Sequence, residues 1–122
     1  MELKLVREPR GKDDFLHVIC EGNISRIDQD RDQFREKLGP NCYERRVLVN
    51  MERVQGVDTS GITWLLSLME RFKRDNGKVV FYMVPPIVTQ VLDFMRLTES
   101  LPVAATEQAA LAAVDGTVPN NS

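Results

Sequence analysis

Most kinds of catalysis draw on residues that this chain has almost none of. Its 122 residues include one histidine, two cysteines and one tryptophan. His17, Cys20 and Cys42 are too few for a zinc site, which takes four closely spaced ligands, so no metal and no cofactor is expected. Two thiols without a partner motif predict free cysteines in a reducing compartment. No apolar run approaches the ~20 residues that span a bilayer. Met1-Glu2-Leu3-Lys4 lacks the charged-then-apolar layout of a signal peptide, so a cytoplasmic protein is expected. Charge of one sign is lacking too: 16 Lys and Arg against 18 Asp and Glu leave a net charge of -2. Nucleic acid and anionic membrane are therefore not expected partners. Without a glycine-rich phosphate loop, a metal cluster or a strained nucleophile turn, the chain carries no evident catalytic set and is not expected to be an enzyme.

What is present is an apolar fraction of 43%, enough for the core of one ordinary domain, expected over residues 1–115 with a mobile tail at 116–122. Lys4-Leu5-Val6 and Phe15 to Cys20 flank a polar turn and predict a hairpin, the second strand ending at Glu21-Gly22-Asn23. His17 falls inside that strand and reads as an ordinary strand histidine. Ser25, with Asp28 three residues on, marks a start for a charge-rich helix to Leu38, stopped by Gly39-Pro40. Val47 to Met51 is apolar at nearly every position, which predicts a central strand covered on both faces. A helix over Ile62 to Asp75 carries the stripe Ile62, Leu65, Leu66, Met69 and Phe72. Trp64 and Leu68 lie on its flank, either as an extended core edge or as an exposed apolar patch. Val79 to Met83 predicts another strand and Ile87 to Met95 a third helix opened by Pro86. A short edge strand follows near Leu101 to Ala104, and then a last helix capped by Thr106. The order implies an α/β domain: a mixed sheet of four to five strands with about four helices packed on it.

Between the central strand and its helix stands Val57-Asp58-Thr59-Ser60-Gly61. Side-chain oxygens of Asp, Thr and Ser can all accept from the unpaired amides of a first helical turn, so capping accounts for these residue types. A hydroxyl in that position can also carry a phosphate, which the positive end of the helix dipole tolerates.

Val47-Leu48-Val49-Asn50-Met51, Val54 and Val57-Asp58-Thr59-Ser60-Gly61-Ile62 together resemble the hydrophobic strand and Asp-Ser-Ser/Thr-Gly-Leu signature of STAS domains of the anti-sigma factor antagonist type. Glu21-Gly22-Asn23-Ile24 is similar to that family's Gly-Glu-Leu-Asp turn, and Ser25 stands where the turn usually carries an acidic residue. Asn76-Gly77, Pro86 and Glu107-Ala109-Leu111 extend the resemblance from about Leu3 to Val114. It implies a phosphorylation switch at Thr59, the hydroxyl after the signature aspartate, with Ser60 as the alternative acceptor. An anti-sigma factor serine kinase would add the phosphate and a serine phosphatase remove it. The implied partner surface comprises Asn23, Ser25, Arg26, Asp58, Thr59, Ser60 and Gly61, with Thr63, Trp64 and Ser67 on the exposed side of the helix. Asp58 would orient, and meet partner or metal during transfer; Gly61 would let the partner approach the backbone.

Two other classes of function stand beside this one. In a non-switching STAS subunit of a lipid-transport ATPase or stress-signalling assembly, Thr59 merely caps the helix. In an enzyme, Thr59 or Ser60 would be a nucleophile with His17 as base. A homodimer is left open.

Overall fold

The computed structural model describes residues 1–7, 15–25, 32–97 and 101–115. The elements are β1 (Glu2–Arg7), β2 (Phe15–Ile24), α1 (Gln33–Leu38), a 3-10 turn (Cys42–Glu44), β3 (Arg46–Val57), α2 (Thr59–Arg74), β4 (Lys78–Tyr82), α3 (Pro86–Phe94), β5 (Val103–Ala104) and α4 (Glu107–Asp115). One sheet of order β1-β2-β3-β4-β5 holds all the strands, β1 antiparallel to β2 and the rest parallel. The expected mixed sheet is therefore present, with β3 at its centre. The polar turn at 8–14, the segment 26–31, residues 98–100 and the tail at 116–122 lie outside the described residues.

From β2 to β5 the chain steps one strand at a time in one direction. Right-handed crossovers then place every connecting helix on the same face. On that face Val18, Val47, Val49 and Phe81 of the sheet pack with Phe34 of α1, Ile62, Leu65 and Phe72 of α2 and Val88 of α3. The opposite face packs Phe15, Leu48, Val80 and Tyr82 against Ala110 of α4. Strand β3 is thus apolar toward both sides, as its continuous hydrophobicity predicts.

Two boundaries differ from the sequence reading. Strand β3 does not end at Met51 but runs to Val57, and β2 runs on to Ile24; beyond Asn50 the two pair with each other through register shifts at Ile19/Glu21 and Gly22/Asn23. Val54 keeps the core side of this extension while Glu52, Arg53 and Gln55 take solvent, a mixture that looks like a loop in sequence. The described part of α1 begins at Gln33 with Asp32 as its cap, its Oδ1 accepting from Arg35 N–H at 3.1 Å; the expected helix from Asp28 begins outside the described residues. Asp32 also ties α1 to α2, accepting from Tyr43 OH at 2.6 Å and from Arg71 at 2.9 Å, with the Tyr43 and Phe72 rings edge to face. Thr106 caps α4 through Ala109 N–H at 3.1 Å.

Candidate functional site

Parallel strands deliver their following helices at one end of a sheet, and the end of β3 delivers α2. Asp58 is the N-cap: its Oδ1 accepts from Gly61 N–H at 2.7 Å, and its carbonyl accepts from Ile62 N–H at 3.1 Å. One carboxylate therefore does the capping that the sequence distributes over three candidates. Thr59 and Ser60 are left as the first two helical residues, Thr59 exposed and Ser60 half-buried, and neither hydroxyl is engaged in a hydrogen bond among the described residues.

The end of β2 is locked against this turn. Asp58 N–H donates to Ile24 O at 3.2 Å, and Ile24 lies opposite Val57 in the parallel register. Asn23 is exposed opposite Gly56, Ser25 is half-buried, and both flank the fully buried Ile24. The fold thus brings Asn23 and Ser25 to Asp58, Thr59 and Ser60. Arg26, also expected here, lies outside the described residues.

Two expected roles are corrected. Gly61 is buried, and a Cβ placed on it would stand 2.3 Å from Ile24 O. The close backbone approach that needs a glycine is internal, between α2 and the end of β2. Trp64 is only 5% exposed and packs against Phe34 at 6.0 Å between ring centroids, so it belongs to the core and not to an exposed side of α2. Leu68 is buried with it. Phe34 lies thirty residues from Trp64, and no helical periodicity reports a partner that distant. Over its first three turns α2 presents to solvent the hydroxyl row Thr59, Thr63 and Ser67, spaced i, i+4, i+8, before the exposed charges Glu70, Lys73 and Arg74. Thr63 OH donates to Thr59 O at 3.1 Å and Ser67 OH to Trp64 O at 2.7 Å.

The histidine weighed as a base is elsewhere. His17 hydrogen-bonds Tyr82 OH on the α4 side of the sheet. Ile24 lies seven positions further along the strand, about 23 Å at ~3.3 Å per residue. His17 and the α2 hydroxyls are therefore not assembled into a nucleophile–base pair. Among the described residues no group of three or more His, Cys, Asp or Glu converges as a metal site, and no helix is long and apolar enough to cross a membrane.

Comparison with known proteins places these features in context. The STAS domain profile matches residues 13–110. Among solved structures, the anti-sigma factor antagonist SpoIIAA in its unphosphorylated form is similar at 22% identity and a TM-score of 0.66, over 96% of this chain and 99% of that one. The phosphorylated form of SpoIIAA, a Bacillus cell fate determinant, matches at 21% identity and 0.59 over 93% and 99%. A STAS domain protein from Planctomyces limnophilus matches at 21% and 0.60 over 92% and 97%. At these identities the likeness is one of fold. No curated protein matches the sequence.

Proposed function

The chain belongs to the STAS domain family, and on that premise we propose that it is an anti-sigma factor antagonist: a binding module, not a catalyst, switched by phosphorylation at Thr59. Unmodified, it binds an anti-sigma factor serine kinase; phosphorylated, it lets the kinase go, and a serine phosphatase resets it. Transfer forms a bond from Thr59 Oγ1 to the γ-phosphorus of ATP, breaks the bond from that phosphorus to the β-phosphate bridge and releases ADP and the hydroxyl proton. The kinase supplies the nucleotide site.

The observation that carries this reading is the division of labour at the start of α2. Because Asp58 caps the helix, Thr59 is spared that task and stands exposed with its hydroxyl unengaged. The non-switching alternative gives Thr59 capping as its role, and capping is already done. A phosphate here would add about -1.5 to -2 charges beside the Asp58 carboxylate, at a surface made of short neutral side chains. The amides of Thr59 and Ser60 and the helix dipole would hold that charge without unfolding the helix. An interface would be lost while the fold remained. Both phosphorylated and unphosphorylated forms of the fold-similar SpoIIAA exist as structures, in keeping with this reading. Ser60, half-buried, is the second candidate acceptor.

The test is a pull-down from native lysate with wild type, Thr59→Ala and Thr59→Glu. An ATP-binding kinase should be retained by the first two and lost from the third. Retention of the same partner by all three would refute the switch.

A further inference from the structure

Strand β3 carries at position 56 a glycine that its backbone does not require. Glycine inside a strand weakens it, having no side chain to pack and the most conformational freedom to lose. At Gly61 and Gly77 a Cβ would strike a backbone carbonyl, at 2.3 and 2.1 Å. At Gly56 the backbone stays out of the left-handed region, and among the described residues a Cβ would meet only Asn23 within 4 Å, its Oδ1 at 2.8 Å. The missing side chain is the seat of the Asn23 carboxamide.

That seat lies on the switch surface. Gly22 pairs with Val54 but Asn23 with Gly56, so a register shift falls immediately before Asn23 and sets the direction its side chain takes. Strand β4 ends at Tyr82, opposite Asn50, so β2 and β3 run on beyond it as a two-stranded arm, and Asn23 is exposed on that arm. Gly56 stands three residues before Thr59, within about 11 Å by the reach of the chain. A partner burying ~800 Å² around Thr59 would cover both. Among the described residues no hydrogen bond engages the Asn23 carboxamide, which keeps its donors and its acceptor for a partner.

Taking the phosphorylation switch as given, we propose that Asn23 is a specificity-determining contact for the kinase and that Gly56 is its positioning residue. A side chain at 56 would leave the arm folded, because the atom in its way is the end of an exposed side chain that can swing aside. It would, however, carry the carboxamide off the surface that meets the kinase. A carboxamide gives and accepts hydrogen bonds without charge, so what it reads on the kinase is a neutral polar group such as main-chain peptide.

Lysate with ATP is the probe. The readouts are the initial rate of phosphate incorporation at Thr59, by peptide mass spectrometry, and the urea midpoint. Asn23→Ala and Gly56→Ala should each slow incorporation about tenfold, the loss of one well-placed polar contact, while the midpoint of Gly56→Ala holds or rises. The double variant should be no slower than either, since both changes remove the same contact. Should Gly56→Ala lower the midpoint instead, adding Asn23→Ala should restore the midpoint but not the rate; a midpoint that stays low overturns the proposal. A wild-type rate in either single variant also overturns it. So does a loss of about a hundredfold in the double variant, which would make the two residues independent. A wild type that takes up no phosphate removes the switch and this proposal with it, whereas a phosphorylated wild type with an indifferent Gly56→Ala removes this proposal alone.

Discussion

The two ends of α2 are built on opposite principles. At its C-terminal end the helix is clamped from the side: Phe72 meets Phe34 and Tyr43 edge to face, and Arg71 reaches Asp32 and Tyr43 OH at 2.9 and 3.2 Å. At its N-terminal end it is held only from behind, by the Asp58 cap, the Asp58–Ile24 backbone bond and the tight fit of Gly61 on the Ile24 carbonyl. Among the described residues nothing is hydrogen-bonded to the Thr59 side chain, which is exposed. A helix about 24 Å long can in this way anchor the domain with one end and offer chemistry with the other. A phosphate at the free end meets solvent and helix dipole, whereas the same group at the clamped end would have to displace aromatic packing.

The largest expected effect breaks the clamp. Phe72→Ala removes a buried ring from between α1 and the 3-10 turn and should cost about 3–5 kcal/mol in urea unfolding. At the other end, Gly61→Ala is the informative change because two effects oppose. Alanine favours a helix over glycine by about 1 kcal/mol, yet its Cβ would stand 2.3 Å from a strand carbonyl that cannot step aside. The clash should win, leaving a net loss of about 1–3 kcal/mol. A stabilised Gly61→Ala would show that β2 and α2 are not locked together there. Asp58→Ala should cost only about 1 kcal/mol, the usual worth of a cap, with Asp58→Asn milder still.

The last effect is one of pH, shows only above about pH 9, and belongs to the clamped end. Burial, aided by the Asp32 carboxylate, pushes the Cys42 thiol from its ordinary 9.0 up to about 11. Tyr43 is likewise raised from 10.0, by burial and then by its hydrogen bond to Asp32. Both groups keep their protons in the folded chain at a pH where the unfolded chain has lost them. Their contribution is therefore complete below about pH 9 and declines as pH rises toward 11. Urea midpoints measured across that window should fall in wild type and fall less in Cys42→Ser, which removes the buried thiol.

How far these two ends could be read in the sequence follows from how local each one is. The start of α2 was legible because caps and strand–helix junctions are written in adjacent residues: Asp58, Thr59 and Ser60 announce themselves between an apolar run and a helical stripe. The choice among them was not legible, because it depends on which oxygen the folded turn aims at Gly61 N–H. The role of Gly61 was misread for a related reason, since the group that crowds it, Ile24 O, belongs to another strand. The clamp left almost no trace. Asp32, Tyr43 and Arg71 look like ordinary members of charged or mixed segments, and only the docking of α1 on α2 makes them a unit. Trp64 stood ambiguous between core and surface until Phe34 was placed against it. A mixed sheet with β3 inside it could be argued from alternating elements and the apolar run, but the extension of β3 to Val57 could not: Glu52, Arg53, Gln55 and Gly56 disguise it.

The most direct measurement is of phosphate itself. Wild type, Thr59→Ala and Ser60→Ala would be incubated with lysate and ATP, recovered, and mapped by peptide mass spectrometry. The prediction is one added phosphate on the peptide bearing Thr59 in wild type and Ser60→Ala, and none in Thr59→Ala. Phosphate absent from all three, or placed away from Thr59 and Ser60, would contradict the switch.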